Sequence, residues 1–279
     1  MKTFNESIIH KSELLQLIIL HNLYSHPLSR KVYFQGGTEI RWCHGGTRFS
    51  EDLDFVTHLT GDETSRMMQK LSGTVERDAQ AHFGAGSLTL KQMASRDEAS
   101  KYMFSFLPET GRDRVAVKVE FERLAPEMTP ENERIVLGTL PGVVHLITTG
   151  DFKVPLSSAV MLCETPVEIM SDKMRALLER PYLKGRDLFD LWFLHSVKGI
   201  GCNKGIFERK LKMYSMPFKE VRQPSFFTSD RKKERAQMAE ALTVDLKRFI
   251  APGVFDAISS GDFKEIIDTV KKCFEDIAR

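Results

Sequence analysis

The clear strand-like stretches of this chain lie before residue 122, and from Thr165 onward the apolar spacing is helical. That change of period limits the fold more than any other feature. It predicts an α/β (α+β) protein: a mixed sheet flanked by helices over residues 1–163, then a helical domain over 164–279. The clearest strand is Arg114 to Phe121, where Val115, Val117, Val119 and Phe121 share one face and Lys118 and Glu120 the other. Ser87 to Met93 and Tyr102 to Leu107 read as strands, and Val32 to Phe34 runs into Gly36-Gly37, a turn that suits residues without side chains. Thr47 to Thr57 reads TRFSEDLDFVT, with Asp52, Asp54 and Val56 alternating against Leu53 and Phe55.

Helical spacing is predicted from Ser12, taken as a cap, to Tyr24, and from Thr64 to Phe83. Pro126 to Cys163 holds more Pro and Gly and reads as the connection between the two domains. Thr165-Pro166-Val167-Glu168 is a capping box with Pro at the first helical position. Further helices are expected at Arg186 to Val197, about Arg231 to Ile250 with a stop at Pro252-Gly253, and Phe263 to Ile277, where Asp262 and Glu265 have capping-box spacing.

With 42% hydrophobic and 28% charged residues the chain is neither disordered nor fibrous, and 40 basic against 38 acidic side chains leave no global attraction for polyanions. The run Leu14 to Leu20 is far shorter than the roughly 20 residues that span a bilayer, and Met1-Lys2 opens no signal-peptide pattern. A cytoplasmic protein without membrane contact is expected. Cys43, Cys163, Cys202 and Cys273 are widely spaced and read as reduced thiols, with no Cys-His spacing of a zinc site. His44, His58 and His82 show none either.

Asp52 and Asp54 point to one side of their strand, roughly 6 to 7 Å apart. At an effective dielectric near 20 they repel by roughly 2 to 3 kcal/mol, a cost relieved by water or by a cation between them, and hard ions such as magnesium suit such oxygens. Glu120, on the outward face of another strand, offers a third carboxylate. Upstream, the Gly36-Gly37-Thr38 turn can present backbone N–H groups to phosphate oxygens, and together these describe a site for a nucleoside triphosphate. No Walker or kinase motif occurs.

Gly36-Gly37-Thr38 with Arg48-Phe49-Ser50-Glu51-Asp52-Leu53-Asp54-Phe55 resembles the first motif of the AbiEii/AbiGii toxin family. These are nucleotidyltransferases of the DNA polymerase β superfamily and toxins of type IV toxin–antitoxin and phage-abortive-infection systems. Lys118-Val119-Glu120-Phe121 resembles the second motif, Lys173-Met174-Arg175-Ala176 the third, and Arg186-Asp187-Leu188-Phe189-Asp190-Leu191 the fourth. Thr38 stands where the superfamily usually has serine and keeps a hydroxyl.

The resemblance implies a nucleotidyltransferase palm followed by a helical domain that closes the nucleotide cleft. It implies magnesium held by Asp52, Asp54 and Glu120, phosphate contacts from Ser50 and Gly36-Gly37-Thr38, and Lys173 neutralising the triphosphate. Of Asp187 and Asp190, one would orient Lys173 or bind the nucleotide, with Asp187 favoured as catalytic and Asp190 assigned to nucleotide binding. The implied partners are an NTP, an RNA acceptor, most plausibly the tRNA 3′ end, and an antitoxin that need not touch the toxin.

Each residue also has a plainer role. Asp52 and Asp54 would be a solvated strand end, Glu120 a carboxylate paired with Lys118, Lys173 a solvated lysine, and Asp187 a favourable charge in a first helical turn. The basic clusters at Lys204 to Lys212 and at Arg231-Lys232-Lys233 with Arg235 read as solvated faces, or else as an RNA patch. Trp192 and Phe226-Phe227 read as core. Rival functions are a catalytically silent nucleotide- or RNA-binding module, and a nucleotidyltransferase acting on a protein or small molecule without toxicity.

Overall fold

The computed structural model describes residues 4–110, 113–156 and 159–278, so the opening Met1 to Thr3, read above for a leader, lies outside the described residues. The chain forms two compact units. A sheet unit holds Glu6–Gly45 and Ser50–Glu164, and a helical unit holds Gly46–Phe49 and the residues from Thr165 onward.

In the sheet unit the order is α1 (Glu6–Ser25), β1 (Val32–Gln35), α2 (Gly36–Cys43), β2 (Asp52–Thr57), α3 (Gly61–Phe83), β3 (Gly86–Ser95), β4 (Ala99–Pro108), β5 (Val115–Arg123), β6 (Asn132–Val136), α4 (Pro141–Thr148) and β7 (Val160–Glu164). The strands make one seven-stranded mixed sheet in the order β3-β4-β5-β2-β1-β7-β6, parallel at β2–β5 and β1–β7 and antiparallel elsewhere. Alternation makes β5 a strand. Val115, Val117, Val119 and Phe121 are buried with Leu53 and Phe55 of β2 in a core that α1 and α3 complete, each such side chain contributing roughly 1.5–3 kcal/mol on burial. An aromatic row runs across four neighbouring strands, Phe34–Phe55 and Phe55–Phe121 at 5.2 Å and Phe121–Tyr102 at 6.1 Å between ring centres. Because strand side chains alternate, this row fixes which residues of β1, β2 and β5 face the other way.

Three expectations are corrected here. Ser12 caps nothing, since α1 begins at Glu6 and Ser12 lies buried within it. The start of α3 lies further back, where Thr60 and Glu63 form a reciprocal capping box. Pro126 to Cys163 is not a plain connection: Ile135 and Val136 belong to β6, and β6 and β7 extend the sheet beyond β1. Short strands at a sheet's edge carry too few alternations to stand out among prolines and glycines.

The helical unit contains α5 (Pro166–Glu179), α6 (Gly185–Trp192), α7 (Lys204–Lys210), α8 (Lys232–Phe249), α9 (Pro252–Ser259) and α10 (Lys264–Ala278). The Thr165 side chain caps α5 by accepting from the Glu168 N–H at 3.4 Å. After α6 a π-helical turn, Phe193–Val197, continues the helix to Gly199, whose φ of +71° reverses the chain. As expected, α8 ends at Phe249 ahead of Pro252-Gly253, and Pro252 then opens α9, as proline can at a first helical position. Asp262 has φ +55°, outside the extended conformation of an N-cap, so its expected capping box with Glu265 is overturned. Phe227 is core, stacked on Phe274 at 4.3 Å, whereas Trp192 is half-buried and donates to Glu265 at 2.9 Å.

Gly185 opens α6 against α8, where an added Cβ would overlap the Ala241 carbonyl and lie 2.7 Å from Leu242 Cα. Gly185→Ala is expected to destabilise by about 1–3 kcal/mol as overpacking. Gly73→Ala in α3, which meets nothing within 4 Å, should stabilise by about 0.5–1 kcal/mol. Urea midpoints of the two variants should therefore move in opposite directions.

Candidate active site

On the sheet face opposite the aromatic row, Asp54 of β2 pairs across to Gln35 of β1 and to Glu120 of β5, and Asp52 lies opposite Lys118. Gln35 leads directly into the first turn of α2, Gly36-Gly37-Thr38. Gly36 has φ +88°, and a Cβ there would sit 2.9 Å from Asp54 Oδ2, so both the backbone conformation and the packing against the carboxylate require glycine. The Thr38 hydroxyl donates to the Asp52 carbonyl oxygen, tying the turn to the start of β2. Ser50 is buried, and its carbonyl accepts from Gln16 of α1 at 2.7 Å, which anchors the loop ahead of β2.

Lys118 Nζ lies 3.1 Å from Asp52 and 2.6 Å from Glu120, and Lys101 Nζ lies 2.6 Å from the other oxygen of Glu120. Burial works against the Glu120 charge, but the two lysines outweigh it and hold its carboxyl below the usual range. Burial likewise disfavours the Lys118 ammonium, and Glu120 and Asp52 more than reverse that. The pairing of Glu120 with Lys118 is thus present.

The donor set of Asp52, Asp54 and Glu120 is all carboxylate oxygen, fit for a hard divalent ion. Its oxygens are not among the sets of three lying within 4.8 Å of one another among the described residues. Lys118 instead bridges Asp52 and Glu120 and supplies the positive charge between them.

A second cluster lies in the helical unit. Lys173 of α5 is only 9% exposed, and its Nζ lies 3.1 Å from Asp187 and 3.0 Å from Asp190, which are buried three residues apart on α6. Arg48 Nε and Nη2 each lie 2.5 Å from Asp190, a bidentate pair, and Nη1 donates to the Phe49 carbonyl at 3.0 Å. Arg180 donates to the second oxygen of Asp187. Burial opposes ionisation of both aspartates, yet Lys173, Arg180 and Lys184 hold Asp187 far below the ordinary range, and Arg48 with Lys173 lowers Asp190. Lys173 is therefore no solvated lysine, and Asp187 is more than a first-turn charge.

The chain matches the family described as "Nucleotidyl transferase AbiEii toxin, Type IV TA system" over residues 18–276. It belongs to the AbiEii family. It is thus a nucleotidyltransferase of a toxin family, and a type IV system implies an NTP substrate and an antitoxin partner. No curated protein matches the chain. Two solved structures from Helicobacter pylori share the fold of this chain. A candidate nucleotidyltransferase is 18% identical, with 99% of this chain and 98% of that chain covered and a TM-score of 0.58. JHP933 is 17% identical, with 99% and 95% covered and a TM-score of 0.56.

Arg48, Arg180 and Lys184 were given no role from the sequence of this AbiEii chain. Arg48 lies in the first motif four residues before Asp52 and Lys184 two before the fourth, which was the available signal. Lys184 is lowered to about 8, chiefly by burial and also by Arg186, Arg180 and Lys173, with Asp187 acting against them. The basic clusters divide. Lys210 is fully buried, 3.2 Å from Glu168, which also accepts from Arg209, and Arg235 pairs with Asp268 at 2.7 Å. Lys204, Lys212, Arg231, Lys232 and Lys233 are exposed. Among the described residues no helix is long and apolar enough to cross a membrane.

Proposed function

We propose that the chain transfers a nucleoside monophosphate from an NTP to an acceptor hydroxyl at the 3′ end of a tRNA in the cytoplasm. The observation that carries this reading is the strand register that sets Asp54 between Gln35 and Glu120, with Gly36 against its carboxylate. Asp52, Asp54 and Glu120 would hold magnesium, which would neutralise the triphosphate and make an acceptor hydroxyl a better nucleophile. The first turn of α2, with Gly36, Gly37 and Thr38, presents backbone N–H groups to phosphate oxygens, and Ser50 adds a hydroxyl from the loop before β2.

Lys173 is assigned to the charge that builds on the departing pyrophosphate. Asp187 orients the Lys173 ammonium from 3.1 Å, and Asp190, paired with Arg48, is assigned to nucleotide binding. The exposed lysines and arginines at 204, 212 and 231–233 supply phosphate contacts for RNA. The antitoxin partner of such a system need not bind the toxin directly.

Incubating the protein with each labelled NTP, magnesium and total tRNA should label tRNA from one preferred NTP. The yield should fall as salt rises. Failure with every NTP, or equal labelling by Asp52→Ala, would leave the silent-module reading. Labelling of protein in a lysate but not of tRNA would favour the rival acceptor. Expression in a bacterium should arrest growth only where transfer is intact.

A further inference from the structure

Three side chains of the helical unit, distant in sequence, converge. His195, Cys202 and Cys273 bring their ligand atoms within 4.8 Å of one another. We propose that they form a zinc site, separate from the nucleotide chemistry. His195 sits in the π-helical turn Phe193–Val197, a rare geometry that recurs at functional sites. Its Nδ1 lies 2.9 Å from the Ile200 carbonyl, which fixes the proton on Nδ1 and leaves the Nε2 lone pair as the ligand, the usual outer-sphere support of a metal-binding histidine.

Gly199 turns the chain so that Ile200 N–H donates to the Leu194 carbonyl at 3.0 Å, and Cys202 follows two residues on. Cys273 comes from α10 and is buried, while Cys202 is half-buried.

Two sulfurs and an imidazole are the borderline-soft set that zinc takes and magnesium does not. Binding converts two S–H groups to Zn–S bonds with two protons released to solvent, so the metal and its two thiolates are together neutral. A cleft of about 620 Å³ borders His195 and is lined by Lys264, Glu265, Asp268 and Lys272, which leaves the histidine side of the cluster open to solvent. The zinc would clamp α10 to the turn that ends α6, the helix carrying Asp187 and Asp190. The other triad, Glu39, Cys43 and Cys163, lacks an imidazole and has two fully buried members, and it serves as an internal control.

The test uses the full chain, stripped of metal, with all four thiols shown to be free by titration. Cobalt(II) is the probe, since thiolate ligands give it sulfur-to-metal charge-transfer absorption and a tetrahedral site gives intense visible bands. One cobalt per chain should bind with both signatures and be displaced by zinc. Cys202→Ser and His195→Asn should each weaken affinity by more than the roughly 10- to 100-fold that losing an outer partner costs. Cys43→Ser should leave it unchanged. Absence of charge-transfer absorption in the wild type, its survival in Cys202→Ser, its loss in Cys43→Ser, or a Cys202–Cys273 disulfide that persists in reductant would each overturn the proposal.

Discussion

Asp54→Asn is expected to cut nucleotide transfer by roughly 10³-fold or more while the protein stays folded. Asn keeps the shape of the side chain, so the close approach of Gly36 and the strand register with Gln35 and Glu120 survive. What disappears is one negative charge at the place where the triphosphate and its cation would meet. Asp54 is only half-buried, and surface changes of this kind move stability within about 0.5 kcal/mol. Labelled-NTP incorporation and a thermal melt, run on the same preparation, check both halves. A variant with wild-type transfer would remove the carboxylate face from the chemistry.

Arg48→Met should instead act on stability, by about 3–5 kcal/mol, because it leaves Asp190 buried without its bidentate partner. Arg48 is 4% exposed and Asp190 1%, so water cannot take over from the guanidinium. Lys173 at 3.0 Å remains, but it also serves Asp187. Urea unfolding measures the loss. The double variant Arg48→Met with Asp190→Leu should recover most of it, since a buried pair replaced by apolar side chains is often neutral, and yet transfer should stay low. The same cluster sets an acid limit. Asp187 and Asp190 are depressed below 3.8 in the fold, so their contribution is present above that ordinary value and drains away as pH falls below it.

Much of the site was legible because strands and helices write their periods into the sequence. Asp52 and Asp54 flank Leu53, and Lys118 and Glu120 flank Val119, so each pair had to share a face once its partner residues were buried. The register between the two strands was not legible, because pairing depends on the aromatic row that β1, β2, β4 and β5 build only together. Lys173 was placed on the correct helix, but its burial between two aspartates depends on how α5 and α6 pack. Cys202 and Cys273 lie 71 residues apart in the chain, and no local spacing announces that a π-helical turn and α10 bring them to one histidine. The strands β6 and β7 escaped for a different reason: each has five residues, and no glycine pair marks their ends as Gly36-Gly37 marks the end of the still shorter β1.

The helical unit is not one continuous stretch of polypeptide, since Gly46–Phe49 belongs to it although more than a hundred residues separate this tetrapeptide from Thr165. A fragment beginning at Thr165 would therefore be born without Arg48, and its Asp190 would lack the guanidinium that neutralises it. During synthesis the ribosome delivers Arg48 early, and that side chain must wait for α6 to emerge before its charge is met. Dissection into halves, or a split-protein design cut near residue 164, is consequently expected to yield a C-terminal piece that refolds only when the tetrapeptide is supplied in trans.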